Sequence, residues 1–95
     1  MYVTLIGLPR SSCEMGVEIG KDVCLKKEPT NSVDTEAIQV IYNGETVGYV
    51  ANSVKSVARG TFSAGRLYDK FDECIEAEVK FILPGGAVIA EIKEW

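Results

Sequence analysis

Residues 28–50, EPTNSVDTEAIQVIYNGETVGYV, decide the fold of this chain. Within them, an apolar stretch at residues 37–42 is followed by Asn43-Gly44 and then by a second β-rich stretch that ends at Val50. Asn-Gly favours a two-residue type I′ turn, because both central residues of that turn need positive φ. The segment therefore predicts a β-hairpin with a defined register.

The predicted turn fixes which residues of the two strands lie opposite each other. Counting outward from it pairs Val40 with Val47 and Ile38 with Tyr49. These four residues then share one face of the hairpin, which predicts that Tyr49 is a partly buried residue of the core or of a barrel rim. Gly48 inside the second strand indicates a bend or a close approach by another backbone.

Four further segments predict strands: residues 2–7, residues 23–27 ahead of Pro29, residues 75–81 and residues 88–92. In residues 75–81 the apolar side chains at 75, 77, 79 and 81 alternate with charged ones, which is typical of a half-buried strand with one wet face. Six short strands that protect their edges by closure favour a small β-barrel.

A short helix is predicted after the hairpin. Asn52 or Ser53 suits its N-cap, and Gly60 suits the position just past its end. Residues 61–70 leave open a second helical turn followed by a loop through Gly65. The predicted fold is therefore mainly β, with one or two short helices.

Length and composition bound the possible functions. The chain has 95 residues, which predicts a single domain over residues 1–95. It has no apolar run long enough for a membrane helix, and no basic segment precedes its first apolar stretch, as a signal peptide would require. A cytoplasmic location without membrane association is expected by default.

The formal net charge of −4 is unevenly distributed, because residues 51–70 carry four cations against one anion. A broad face for duplex DNA would need a dominant basic stripe, which is missing. A small pocket for one or two nucleotides needs far fewer cations.

The absence of histidine excludes His-based acid–base and nucleophilic catalysis. The three cysteines, Cys13, Cys24 and Cys74, cannot complete a four-ligand Cys/His zinc site. They are predicted to be small buried side chains in a reducing compartment. No phosphate-binding loop is present, so we expect no enzyme activity, no cofactor and no metal.

The pattern E-P-x-N-x-x-D-x-x-A-I-x-V, followed by N-G-x-x-V-G-Y, closely resembles the HIRAN domain. That domain occurs at the N-terminus of certain chromatin-remodelling-type DNA repair helicases and as a stand-alone bacterial protein. The resemblance is clear over residues 23–65. It implies a nucleic-acid-binding barrel of OB-like form, so the expected architecture is a six-stranded OB-like or SH3-like β-barrel with one or two short helices.

The resemblance implies that the N-x-x-D loop, here Asn31 and Asp34, receives the free 3′ end of single-stranded DNA. An aspartate there would accept a hydrogen bond from a 3′-hydroxyl and repel a 3′-phosphate. The residues themselves leave open that Asn31 and Asp34 only brace an Asx turn.

This chain departs from the end-binding members at several positions. Thr30 replaces a second asparagine, Val33 an aromatic residue and Asn52 a basic residue. Residues 8–11, LPRS, replace an Arg-Tyr-Tyr cluster, and base stacking on such aromatics contributes about 1–3 kcal/mol per base. These departures leave two functions open.

The first hypothesis is a non-enzymatic module for single-stranded DNA or DNA ends in DNA repair, supplied to a helicase or nuclease partner. Its candidate nucleic-acid-binding residues are Lys27, Thr30, Asn31, Asp34, Tyr49, Asn52, Lys55 and Arg59. Lys27, Lys55 and Arg59 would meet phosphates, although Lys55 and Arg59 also fit a solvated helix face. The second hypothesis is a protein-interaction adaptor, which docks its partner through the acidic C-terminal hairpin or an exposed strand edge.

Overall fold

The computed structural model of the chain describes residues 1–7, 18–32, 36–52, 57–84 and 86–93. These residues form six strands and one short helix. The elements are β1 (Tyr2–Ile6), β2 (Asp22–Lys27), β3 (Ile38–Tyr42), β4 (Glu45–Val50), α1 (Ala64–Tyr68), β5 (Cys74–Ile82) and β6 (Val88–Ile92).

The strands close into an antiparallel barrel in the order β1-β4-β3-β2-β5-β6, and β6 pairs with β1 to complete the ring. This confirms the predicted mainly-β, six-stranded barrel. Alternate residues of most strands point inward and bury one apolar cluster, which α1 covers with two side chains. The cluster comprises Val3, Leu5, Val23, Leu25, Ile38, Val40, Val47, Val50, Ala64, Leu67, Ala77, Val79, Val88, Ala90 and Ile92.

The β3–β4 turn has the predicted backbone, since Asn43 and Gly44 both have positive φ, at 52° and 81°. Beyond the turn, however, the register shifts at a β-bulge, and Val40 pairs with Gly48 instead of Val47. The bulge inserts one extra residue into β4, so every later residue of that strand faces the opposite side from the one predicted.

The predicted position of Tyr49 beside Ile38 is therefore wrong. Tyr49 pairs with Gln39 on the outer face, and Val50 takes the inward position with 4% of its surface exposed. The phenol side chain is half-buried and free to reach the loops at the end of the barrel.

A second bulge lies in β5, where Val79 pairs with Ala90 and Phe81 pairs with Ile89. Lys80 is the extra residue. The predicted alternation holds through Val79 and then fails, because the bulge turns Phe81 outward and leaves it 56% exposed.

The helix predicted directly after the hairpin falls mainly on residues that the structure does not describe. Residues 53–56 lie outside the described residues, and residues 57–60 form a bend and a turn. The observed helix, α1, includes Gly65, which was predicted to lie in a loop. Ser63 caps α1 by accepting a hydrogen bond from the Arg66 N–H, and Asn52 Oδ1 accepts one from the Gly65 N–H at 2.8 Å.

The segment between β4 and α1 is fixed to β1 by a buried hydroxyl network. The Thr4 side chain is fully buried, and its Oγ1 accepts from the Ala58 N–H at 3.1 Å. Thr61 Oγ1 donates to the Ala58 carbonyl at 2.7 Å and lies 2.8 Å from Thr4 Oγ1, so the Thr4 hydroxyl donates to Thr61. The Phe62 N–H also donates to the Tyr2 carbonyl. These bonds hold the turn that carries Arg59.

The cysteine prediction is wrong for two of the three residues. Cys24 is half-buried and Cys74 is exposed, because both occupy outward positions on neighbouring strands, while Cys13 lies outside the described residues. Among the residues that the structure describes, no helix has the length and apolar character to cross a membrane.

Candidate nucleic-acid interface

The loop that follows β2 is a tight turn over residues 28–31. The Asn31 N–H donates to the Glu28 carbonyl at 3.0 Å, and the Glu28 N–H donates to the Ala37 carbonyl at 2.8 Å. Pro29 lies in the turn and outside the strands, so the N–H that proline lacks removes no hydrogen bond from the β-ladder. The turn is thereby anchored to the strand that begins at Ile38.

The Glu28 carboxylate organises the side chains around this turn. It accepts a hydrogen bond from Asn31 Nδ2 at 2.7 Å. The Tyr49 hydroxyl donates to the same carboxylate and lies 3.1 Å from each of its two oxygens. Tyr49 reaches Glu28 only because the bulge in β4 turns it outward. The sequence analysis missed Glu28, although it is the first residue of the E-P-x-N pattern.

The same contacts determine the titration of Tyr49. Burial raises the pKa of the phenol above 10.0, and the hydrogen bond and negative charge of Glu28 raise it further, while a hydrogen bond from Asn31 opposes them. The phenol therefore stays neutral near pH 7 and keeps donating to Glu28. Glu28, Asn31 and Tyr49 form a closed group, hereafter the Glu28 cluster, in which Asn31 braces the turn.

Lys27 is engaged within the protein. Its Nζ donates to the Phe71 carbonyl at 2.5 Å, and it lies 4.5 Å from the ring centroid of Tyr68 and 4.9 Å from that of Phe71. Charge-assisted hydrogen bonds and cation–π contacts of this kind hold a side chain in place. The geometry thus gives Lys27 a clamping role between β2 and the segment after α1.

A groove of about 340 Å³ runs between the turn at residues 57–60 and the start of α1. Arg59 and Arg66 both line it, together with the side chains of Asn52, Thr61 and Ser63. The Arg66 guanidinium stacks on the Phe62 ring, with its central carbon 4.6 Å from the ring centroid. The four-residue spacing of Phe62 and Arg66 is the sequence signal that could have identified this pair.

Gly65 in α1 is packed closely against the side chains of Glu36 and Asn52. A Cβ built on Gly65 would lie 2.9 Å from Glu36 Oε1 and 3.2 Å from Asn52 Oδ1. The Glu36 and Asn52 side chains therefore meet over the start of α1. Glu36 therefore lies close to Asn52, which lines the groove.

The comparison with known families decides what kind of domain this is. The HIRAN domain matches residues 1–72, which is more than half of the chain. The chain belongs to the HIRAN domain family. No curated protein and no solved structure matches it. HIRAN domains are DNA-binding modules and are not themselves catalytic.

The HIRAN match covers β1 to β4 and α1, whereas β5 and β6 lie beyond it. Those two strands nevertheless close the barrel between β2 and β1. The residues that carry the Glu28 cluster and the groove all lie within the matched part of the chain.

The structure brings together only some of the predicted site residues of this HIRAN domain. Asn31 and Tyr49 meet at Glu28, while Asn52 and Arg59 share the groove. Thr30 is exposed in the turn beside Asn31. Lys27 lies apart, in the aromatic clamp, and Asp34 and Lys55 fall outside the described residues. Within the residues that the structure describes, no group of three or more His, Cys, Asp or Glu side chains is arranged to hold a metal ion.

Proposed function

We propose that this HIRAN domain is a non-enzymatic module that binds single-stranded DNA or DNA ends during DNA processing. The observation that carries the proposal is the groove lined by Arg59 and Arg66. Arginine presents a planar set of donors that matches phosphate oxygens, and it is the residue most often used for such contacts.

Phe62 gives the groove a second property of single-strand sites. Such sites combine cations that follow the backbone with aromatic faces that accept bases of any sequence. Arg66 lines the groove and covers Phe62 at 4.6 Å, so the guanidinium at the groove wall is stacked on a ring that packs against the core. In this proposal Arg59 and Arg66 contact successive phosphates, and the Arg66–Phe62 stack supports one base.

The Glu28 cluster holds the turn that leads into the N-x-x-D loop. Asn31 is held by Glu28, so in this proposal it positions the N-x-x-D loop instead of contacting DNA directly. Asp34, three residues further on, accepts a hydrogen bond from the terminal 3′-hydroxyl. Thr30 is exposed at the turn and offers its hydroxyl to the terminal sugar.

The test is fluorescence anisotropy with three labelled probes: single-stranded DNA with a free 3′-hydroxyl, the same strand with a 3′-phosphate, and blunt duplex DNA. We expect the free hydroxyl strand to bind most tightly, and Asp34→Ala to remove the preference over the 3′-phosphate. Far-UV circular dichroism of the variant controls for folding. No binding to any probe at tens of micromolar protein would refute the proposal.

Salt dependence tests the arginines separately. Each phosphate contact on a single strand contributes about 0.7 to the slope of log K against log salt, so two arginines give a slope of about −1.4. Affinity should then fall about sevenfold between 50 and 200 mM salt. Arg66→Gln should halve the slope, whereas Lys21→Gln, an exposed cation at the opposite end of β2 from the Glu28 cluster, should leave it unchanged.

A second candidate function, a protein-binding adaptor for a nuclease or helicase, is favoured by one observation. Phe81, Ile82 and Leu83 are 56%, 44% and 37% exposed at the end of β5. Contiguous exposed apolar residues are typical of protein contacts. Because the six described strands close into a ring, this patch is a better docking point than a strand edge. Phe81→Ser should abolish partner capture and leave DNA binding unchanged if this function is real.

A further inference from the structure

Two thiols lie side by side on the outer face of the barrel, away from the groove. The β2–β5 ladder pairs Cys24 with Glu76 and Lys26 with Cys74, so Cys24 and Cys74 are diagonal neighbours. Residues at these positions share one face of the sheet, so both side chains lie on the outer face of the barrel. Cys74 is exposed and Cys24 is half-buried, so the pair is open to solvent from one side.

Both cysteines line a cavity of about 510 Å³ on the outer face of β2, β3 and β5. Two carboxylate-bearing residues, Asp22 and Glu76, line it as well, and Tyr42 contributes from β3. Asp22 is paired with Lys93 at 3.0 Å, so Glu76 is the lining carboxylate for which no ion pair is found among the described residues.

The ladder geometry argues against a disulfide between the two residues. Diagonal partners on an antiparallel ladder are about 7–8 Å apart at Cα. Cysteines whose Cα atoms are more than about 7 Å apart cannot be bridged without backbone movement. A metal ion can join sulfurs that are too far apart for a disulfide, because two metal–sulfur bonds of about 2.3 Å allow the sulfurs to lie up to about 4.6 Å apart.

We propose that Cys24 and Cys74 form a two-thiolate site for a soft, thiophilic metal ion of the Cu(I) class. Thiolate ligands select such ions. Zinc would require further ligands, and the described residues contain no group of three or more His, Cys, Asp or Glu side chains suited to hold a metal. On binding, each thiol releases its proton and its sulfur donates an electron pair to the ion. No electron is transferred.

The surroundings of the pair give the site a pH dependence. Burial, the neighbouring Cys74 and the charge of Glu76 raise the pKa of Cys24, while Lys26 lowers it. Metal and protons compete for the same sulfurs. Affinity should therefore rise with pH until the thiols are ionised.

The test uses Cu(I) itself, titrated without oxygen against a chromogenic Cu(I) chelator. Cys13→Ser removes the third thiol, and this variant should still bind one ion per chain. Loss of an outer-shell partner of a metal site lowers metal affinity by about 10–100-fold. Adding Cys24→Ser or Cys74→Ser to the Cys13→Ser variant should lower Cu(I) affinity by more than this. These substitutions should leave DNA binding unchanged, so a failure of the metal-site proposal can be distinguished from a failure of the proposed function.

Alkylation of the intact protein gives a second measurement that needs no variant. Bound Cu(I) should protect Cys24 and Cys74, and mass spectrometry of the digested protein identifies the protected thiols. Three results would overturn the proposal: unchanged affinity in either added serine variant, an ion that bridges two chains, or an intramolecular Cys24–Cys74 disulfide formed rapidly with oxidised glutathione.

Discussion

Replacing Lys27 by methionine should destabilise the fold, because the ammonium group clamps β2 to the segment after α1. A hydrogen bond to a charged group contributes about 1.5–3 kcal/mol, and each cation–π contact about 0.5–1 kcal/mol at a partly exposed site. A methionine at this position should recover part of the lost stability by packing on Tyr68 and Phe71. We therefore expect a net loss of about 2 kcal/mol, or roughly 10 °C in Tm for a domain of this size.

Thermal and urea unfolding, followed by circular dichroism, measure this loss. Lys26→Met is the matched control, since Lys26 is the exposed neighbour on the same strand and surface substitutions change stability by about 0.5 kcal/mol or less. Equal stability of the two variants would refute the clamp. If Lys27 contacted DNA instead, Lys27→Met would keep its stability and lower the salt slope of DNA binding by about 0.7.

Three further predictions concern hydrogen bonds at the site. Thr4→Val should cost about 1–3 kcal/mol in urea unfolding because the buried Ala58 N–H loses its acceptor, whereas Thr4→Ser should keep most of that stability. Spectrophotometric titration should show one of the four tyrosines ionising above pH 10, a step that Tyr49→Phe removes and Glu28→Gln moves back toward pH 10. Because the pKa of Tyr49 is higher in the folded protein, its contribution to stability is complete below pH 10 and is lost as the pH rises further. Asn52→Ala should lower the free energy of unfolding by about 1 kcal/mol, because the Gly65 N–H at the start of α1 loses its acceptor. Asn52→Asp should keep this stability, because aspartate retains an acceptor oxygen.

The sequence predicted the barrel because its strands carry strong local signals. Asn43-Gly44 specified the turn, and alternating side chains identified the other strands. Both register errors arose at bulges, where one extra residue exchanges the two faces of a strand. Gly48 indicated a local irregularity in β4, but Lys80 gave no comparable signal in β5, since a bulge there depends on how β5 and β6 meet around the ring.

The candidate site was harder to predict because its contacts join segments that are distant in the chain. The pairing of Glu28 with Tyr49 depends on the bulge, and Asn52 accepts a hydrogen bond from the N–H of Gly65, thirteen residues later. Contact of Lys27 with phosphate stays a prediction, but the clamp that the structure shows was not predicted. Its clamp requires Phe71, which comes next to β2 only through the closure of the barrel.

The net charge of −4 already counts the lysines that pair with carboxylates, so it works against DNA binding wherever salt does not screen it. Glu78 and Glu91 both pair with Lys80, Asp22 pairs with Lys93, and Glu28 is hydrogen bonded within its cluster. Salt screens exposed charges beyond about 10 Å at 0.1 M ionic strength. Close to the groove, Arg59 and Arg66 are accompanied by the Glu36 carboxylate, which lies near Asn52 at the start of α1. The domain should therefore hold a short single strand weakly and lose it readily as salt rises.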